Sequence, residues 1–545
     1  MKEQLMGLRH RKLVLAVASL ALAAGSWALV CPHTAQAQKN SALAPKISEI
    51  QSRPEYKHAT FGVEVYSLDE NKVVFALRGD ELFTPASTTK LLTEGTALEL
   101  LGADYRFQTR VYRTGPIAAD GTLNGDLILV ASGDPNLSGR IQPDGTLAFE
   151  NEDHSYQGQD ETRAVPGDPL LVVREIAAEV ASHGVKKIQG NVLVDASLFA
   201  EGDREEGTGA VISPICVNDN LIDLTISPGD KEGSATSLKI SPATSYVTFI
   251  NQVTTSGPKV HASVEPTTDT ANPDGSHTVT LTGTFPAGHA PILFAYHVPE
   301  PTRFAEVTLV EALREKGIAA KFPALVPKPD FKVASSSYTP ENLVAEHVSP
   351  PLSEEVKVTL KVSQNLHASM TPSILGAVLA HETTDVEQAG FDLEHDLLAK
   401  AGLDLTAASQ SDGAGGASSA YYTPDFVVRY LAFMSKQKDF AVFKNALPIL
   451  GRDGTLFKIQ VDSPAAGHVF AKTGTLGSYD ALNKNVMLGA KGLAGYMTTP
   501  DGRHLAFAVY ANRVSLPLDD PDAPQMVVGQ AVGEIASAIY SGPRE

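Results

Sequence analysis

The chain has 545 residues, 43% of them apolar, with 44 Lys or Arg against 63 Asp or Glu and a formal net charge of −19. That length supports a large core and two to four domains, and the negative balance argues against nucleic-acid binding, which needs a basic face. Two cysteines, Cys31 and Cys216, exclude a disulfide scaffold.

The first segment reads as an export signal. Lys2, Arg9, Arg11 and Lys12 precede an apolar run from Leu13 to Val30, and Ala35-Gln-Ala37 offers small residues for cleavage before Gln38. Cleavage there leaves about 508 residues, with Cys216 as the remaining cysteine. Residues 1–37 carry four basic residues and Glu3, so the net charge becomes −22. The expectation is an exported protein, periplasmic or otherwise extracytoplasmic, with no stable membrane span after cleavage.

Phe61-Gly-Val-Glu-Val-Tyr and Val73-Val-Phe-Ala-Leu read as strands joined by the polar turn Ser67 to Lys72. A helix follows, with Thr84 as an N-cap, Pro85 at a first helical position, and an apolar face running through Leu91, Leu92, Ala97 and Leu100. Ser87 and Lys90 stand three apart in it, close enough for their side chains to meet. A buried or cation-flanked lysine can take the serine proton, so the pair proposes acyl transfer. Spacing alone is weak evidence, because Ser256 to Lys259 and Ser435 to Lys438 share it.

The segment of roughly 106–345 is rich in Gly, Pro, Thr and alternating apolar residues, as in Val279-Thr-Leu-Thr-Gly-Thr-Phe, and reads mostly as β structure. A helix is predicted over Phe304 to Lys316, ending at Gly317. Near the C-terminus, Gly495-Tyr-Met-Thr-Thr and Leu505-Ala-Phe-Ala-Val-Tyr flank a Pro-Asp-Gly-Arg turn and form a second hairpin, expected in the same sheet as the first.

Two further motifs, Ser363-Gln-Asn365 and Lys472-Thr-Gly474, follow Ser87 in order. With them the chain resembles the serine penicillin-recognising enzymes. Ser87 and Ser363 stand 276 positions apart, which implies a domain-sized insertion. Gly125-Asp-Leu-Ile-Leu, Ser132-Gly-Asp-Pro-Asn-Leu, Val217-Asn-Asp-Asn220, Asp412-Gly-Ala-Gly and Gly451-Arg-Asp-Gly-Thr-Leu extend the resemblance to the D-alanyl-D-alanine carboxypeptidase/endopeptidase family, the class C low-molecular-mass penicillin-binding proteins.

That resemblance implies an α+β fold: a β-lactamase/transpeptidase-like domain, an antiparallel sheet flanked by helices, over 38–105 and 346–545. A largely β insertion of two nested subdomains would occupy 106–345, the inner one at about 228–300. It implies attack by Ser87 on the penultimate D-alanine carbonyl, Lys90 as base, and an oxyanion hole of the Ser87 and Thr475 N–H groups. Ser363 would relay a proton, Asn365 would hold the substrate amide, and Lys472 with Thr473, Gly474 and Thr475 would meet the terminal carboxylate. Peptidoglycan stem peptides are the implied partners and β-lactam antibiotics the implied inhibitors; cleavage of D-Ala cross-links is a further expectation.

Lys90, Lys361 and Lys472 are candidates for a cationic pocket. Asp134, Asp412 and Asp453 each neighbour glycine or proline and read as turn or cap residues. His367 and His381 read as structural, because no His-Glu-x-x-His or Cys-x-x-Cys motif occurs; no metal or cofactor is expected. The alternatives are a β-lactamase and a non-catalytic wall-binding protein of the same fold. Against the first, Glu382, Glu387 and Glu394 are the only glutamates between Asn365 and Lys472, and none begins a Glu-x-x-x-Asn pattern. Three features depart from the family pattern: Gln364 stands where aspartate is common, Ala414 and Gly416 replace serine and leucine, and the segment Tyr479 to Lys491 is longer than typical.

Overall fold

A computed structural model describes residues 43–325, 329–381, 384–416, 420–517 and 523–542. The expected signal segment 1–37, Cys31 and Glu382 lie outside them.

The outer parts of the chain supply α1 (Leu43–Gln51), β1 (Thr60–Ser67), β2 (Lys72–Leu77), α2 (Lys90–Leu101), α3 (Leu352–Val362), α4 (Asn365–Leu375), α5 (Pro424–Met434), β3 (Val469–Asp480), β4 (Asn485–Thr498), β5 (His504–Pro517) and α6 (Ala523–Ser541). The five strands form one antiparallel sheet in the order β3-β4-β5-β1-β2, so both predicted hairpins share it. Strand alternation explains how helices cover both faces. Phe507, Val509 and Ala511 of β5 pack with Ile47 and Ile50 of α1 and Val528, Val532 and Ile535 of α6. Ala506, Ala508 and Tyr510 face the opposite way, onto Leu91 and Leu98 of α2 and Phe426 and Tyr430 of α5.

Between α2 and α3, Gln108–Arg113 pairs with Leu343–Val348 and with Leu127–Val130, which in turn pairs with Val192–Asp195. Leu221–Ser227, Ser237–Ser241 and Ile292–His297 form a second sheet; Val247–Asn251, Thr254–Ser256, Ser263–Ala271 and His277–Pro286 form a third. Two helices, Leu171–Ser182 and Pro301–Glu315, add to the expected strands. The second begins three residues before Phe304, because Pro301 takes the first helical position.

A buried charge network ties this middle segment to the helices of the second motif. Asp219 accepts from Arg140 (2.5 Å), His154 (2.8 Å), His367 on α4 (3.0 Å) and Gln364 (3.3 Å). His367 Nδ1 also lies 2.9 Å from Glu355 on α3. The Asp219 and Glu355 carboxylates outweigh desolvation and push His367 up to about 10, while Asp219 is held well below the usual carboxylate range. Cys216, Asp219 and His367, and likewise Asp153, His154 and Asp219, converge in the manner of metal ligands, but the Arg140 guanidinium already supplies a cation there.

A histidine raised in the folded state contributes stability that is complete below its unfolded value of roughly 6.5. For His367 that contribution is lost as pH rises through about 10. The urea midpoint is therefore expected to fall between pH 6.5 and pH 10, and to fall less steeply in His367→Gln, as measured by equilibrium unfolding across that range.

Candidate active site

Ser87 sits in a 3-10 turn, Ala86–Thr89, and the α-helix proper begins at Lys90. The predicted Thr84 cap is not used: Pro85 holds the N-cap position without a side-chain bond. Ala86 has a φ of 46°, a left-handed conformation that costs energy for a residue with a Cβ. That strained residue opens the turn immediately before the serine.

Lys90 is fully buried, and its Nζ has three oxygen neighbours: Ser87 Oγ at 3.0 Å, Asn365 Oδ1 at 2.7 Å and the Ala414 carbonyl at 2.8 Å. No described carboxylate forms an ion pair with it. Burial is the largest influence and lowers it to about 8, against the opposing charges of Glu205, Asp412 and Glu94. A neutral lysine has two N–H groups and one lone pair. Asn365 Oδ1 and the Ala414 carbonyl can only accept, so they take the two N–H groups and leave the lone pair for the Ser87 hydroxyl proton.

Ser363 ends α3 in the left-handed conformation, with φ 64°, and Gln364 caps α4 by accepting from Leu366 N–H at 2.9 Å. Ser363 thereby stands between two helices, and Lys472 Nζ on β3 donates to its Oγ at 2.8 Å and to the Thr473 carbonyl at 2.9 Å. Lys472 is held well below its ordinary value by burial first and then by the charges of Lys90 and Lys491. Gly474 allows β3 to reach the Ser87 turn, since a Cβ there would stand 2.3 Å from the Pro85 carbonyl oxygen. The structure thus brings Ser87, Lys90, Ser363, Asn365 and Lys472 together, with Thr473, Gly474 and Thr475 alongside on β3.

The other serine–lysine spacings have no such bond: Ser256 ends a strand, and Ser435 Oγ donates to the Ala432 carbonyl at the end of α5. Lys361 does not join the cationic pocket, because its Nζ is held by both carboxylate oxygens of Asp453 at 2.8 and 2.7 Å. Asp412 accepts from the N–H groups of Ala414 and Gly416, organising the loop whose carbonyl meets Lys90. Tyr422 is buried, its hydroxyl donating to Gln410, and Tyr421 is exposed.

Two features escaped the sequence reading. Lys491 on β4 donates to Thr475 Oγ1 at 2.8 Å. The loop around Glu205 reaches Asn365: the Glu205 carboxylate accepts from the N–H groups of Gly207, Thr208 and Gly209, and a Cβ on Gly207 would stand 1.9 Å from Asn365 Nδ2. The run Glu205-Glu-Gly-Thr-Gly209 is the one local sign of such a close approach.

Residues 43–531 match the D-Ala-D-Ala carboxypeptidase 3 (S13) family. A D-alanyl-D-alanine carboxypeptidase of Actinomadura sp. (strain R39) is 27% identical over 513 residues, 91% of this chain and 85% of that protein. The D-alanyl-D-alanine carboxypeptidase DacB of Haemophilus influenzae is 23% identical over 462 residues, 82% of this chain and 84% of that protein. The crystal structure of penicillin binding protein 4 (dacB) from Haemophilus influenzae superposes with a TM-score of 0.69 at 22% identity, covering 91% of this chain and 99% of that one. The same protein complexed with a β-lactam gives 0.67 at 21% identity. The fold is accordingly α+β and is that of this penicillin binding protein.

Asn365 Oδ1 is one of the two acceptors that orient Lys90, so displacing the Asn365 amide disturbs the serine–lysine pair. Gly207→Ala is expected to slow covalent capture of a fluorescent penicillin by about 10- to 100-fold, the scale of a misplacement near 1 Å, with little change in the thermal midpoint. Stopped-flow labelling and thermal unfolding, measured on the same preparation, check both halves.

Proposed function

The chain belongs to the D-Ala-D-Ala carboxypeptidase 3 (S13) family and is a hydrolase of that carboxypeptidase type, and we propose that it cleaves the D-Ala-D-Ala ends of peptidoglycan stem peptides through an acyl-enzyme on Ser87. The observation that carries this reading is the setting of Lys90, a buried amine with two acceptors for its N–H groups and the Ser87 hydroxyl as its third neighbour.

Ser87 Oγ attacks the carbonyl carbon of the penultimate D-alanine while its proton passes to Lys90 Nζ. The Ser87 and Thr475 N–H groups receive the developing oxyanion, a donor pair in which each member is typically worth about 10²- to 10³-fold in rate. The peptide C–N bond then breaks, and Ser363, hydrogen-bonded to Lys472 Nζ, relays to the departing D-alanine nitrogen the proton that Lys90 took from Ser87, which returns Lys90 to its neutral form. Asn365 holds the substrate amide. Water attacks the ester and frees the shortened peptide and Ser87. A β-lactam enters by the same attack, and its ring-opened ester occupies the serine. The substrate lies in the cell wall, which puts the activity outside the cytoplasmic membrane; among the described residues no helix is long and apolar enough to cross a membrane.

A β-lactamase needs a base for rapid deacylation. Glu205 is the acid whose charge acts most on Lys90, but its oxygens already accept from Gly207, Thr208 and Gly209. Glu394 is buried, and burial pushes it up to about 8, so it is mainly protonated at neutral pH. Slow hydrolysis of the penicilloyl ester follows.

The test is to incubate the purified protein and Ser87→Ala with labelled penicillin and with a peptide ending in D-Ala-D-Ala. A lasting adduct and released D-alanine are expected, both absent in the variant. Because Lys90 must be neutral to accept the proton, the acylation rate should rise with pH and level off above about 8. Rapid penicillin turnover without peptide cleavage would establish the β-lactamase instead, and no covalent labelling at all would leave a wall-binding protein.

A further inference from the structure

The register of β3 on β4 places Lys491 opposite Thr475. Side chains of paired residues lie on the same face, and alternate residues along β3 share it, so Thr473, Thr475 and Lys491 stand together while Lys472 and Gly474 point the other way. The two lysines differ in what they can still offer. Lys472 is fully buried and its Nζ is committed to Ser363 Oγ and the Thr473 carbonyl. Lys491 keeps 9% of its surface exposed, and its Nζ makes one hydrogen bond, to Thr475 Oγ1. An ammonium carries three donors, and a buried cation without a paired anion is costly. No described carboxylate forms an ion pair with Lys491; burial lowers it to about 8, against the opposing charge of Glu152. The aliphatic part runs beside Gly529 of α6, where a Cβ would stand 3.4 Å from Lys491 Cε, so the side chain is held along the helix and not left to wander into solvent.

We propose that Lys491, acting with Thr475 and Thr473, is the specificity-determining cation that binds the C-terminal carboxylate of the substrate. Lys472 is then left to serve Ser363. The inference rests on the proposed reading that the Ser87 site receives a peptide with a free C-terminal carboxylate. A carboxylate would accept from the free Lys491 donors and from the Thr475 hydroxyl, whose oxygen already accepts from Lys491 and whose proton is left to donate. Charge-assisted bonds of this kind favour carboxylate over a neutral amide at the same position.

The test measures D-alanine release from a diacyl-L-Lys-D-Ala-D-Ala peptide, and release of D-alaninamide from its C-terminal amide, by the wild type, Lys491→Met and Lys491→Arg. With Lys491→Met, KM for the carboxylate peptide should rise by about 10- to 100-fold, the worth of one charge-assisted bond, with kcat changed far less. The preference for carboxylate over amide should collapse, and Lys491→Arg should restore most of it. An unchanged KM in Lys491→Met, or an equal loss on both peptides, overturns the inference while leaving the peptidase intact. If Lys491→Met unfolds early in a thermal scan, Lys491→Arg decides alone: a carboxylate preference lost in a stable arginine variant sustains a role for the lysine only in packing and overturns the proposal. No D-alanine release by the wild type removes the premise and the inference together, and is recognised by the failure of the wild-type control.

Discussion

The site depends on keeping an amine dry and aimed. Lys90 lies in the core between the sheet and the helices, and its three neighbours come from three distant parts of the chain: the turn before α2, the start of α4 and the Asp412–Gly416 loop. Water or a paired carboxylate would restore the charge and remove the base. The remaining architecture follows from holding those three parts in register. α2 and α5 pack against one face of the sheet, and the close approach at Gly474 presses the edge strand β3 against the serine turn.

The Asp219 network explains why glutamine suits position 364. The Gln364 side chain accepts from Leu366 N–H at the start of α4 while its amide nitrogen donates to Asp219 at 3.3 Å. An aspartate at 364 could supply the cap but not the donor, and would place a second carboxylate beside a buried one. Glutamine does both, so its presence is coupled to Asp219. The same network fixes His367 two residues after Asn365, which means that the middle segment of the chain braces the helix bearing the second motif.

Local pattern made much of this legible. Apolar runs exposed β1, β4 and β5, which are buried over several consecutive residues because helices cover both faces of the sheet, and also β2, a half-buried edge strand. The serine–lysine spacing pointed to a pair whose side chains do meet, even though Ser87 lies in a 3-10 turn, because three-residue spacing brings side chains together in either helix type. Features that depend on tertiary contact were not legible. Thr84 has capping chemistry but the chain enters the helix through Pro85 and a strained Ala86 instead. Lys361 is adjacent to the second motif in sequence, yet its side chain meets Asp453. Glu205 and Gly207 acquire meaning only when their loop is laid against Asn365.

Lys491 shows most sharply why a motif search stops short, because its place is set by a register that one residue decides. At the hairpin tip Asp480 pairs with Asn485, and the pairing runs regularly inward to Gly477 opposite Leu488. Continued without interruption it would set Thr475 opposite Ala490 and Lys491 opposite Gly474, on the face that looks toward Thr88. A bulge intervenes instead: Leu476 pairs with Ala490, Gly489 is passed over, and Lys491 moves to the position opposite Thr475. The β4–β5 pairing keeps a single register through the same point, with Leu488 opposite Val514 and Ala490 opposite Asn512, so the shift is confined to β3 and β4. Because strand periodicity is two, a shift of one residue exchanges the faces of every side chain beyond it. The bulge within the Tyr479 to Lys491 segment therefore decides which β3 residue lies opposite the lysine, and makes Thr475, not Gly474, its neighbour.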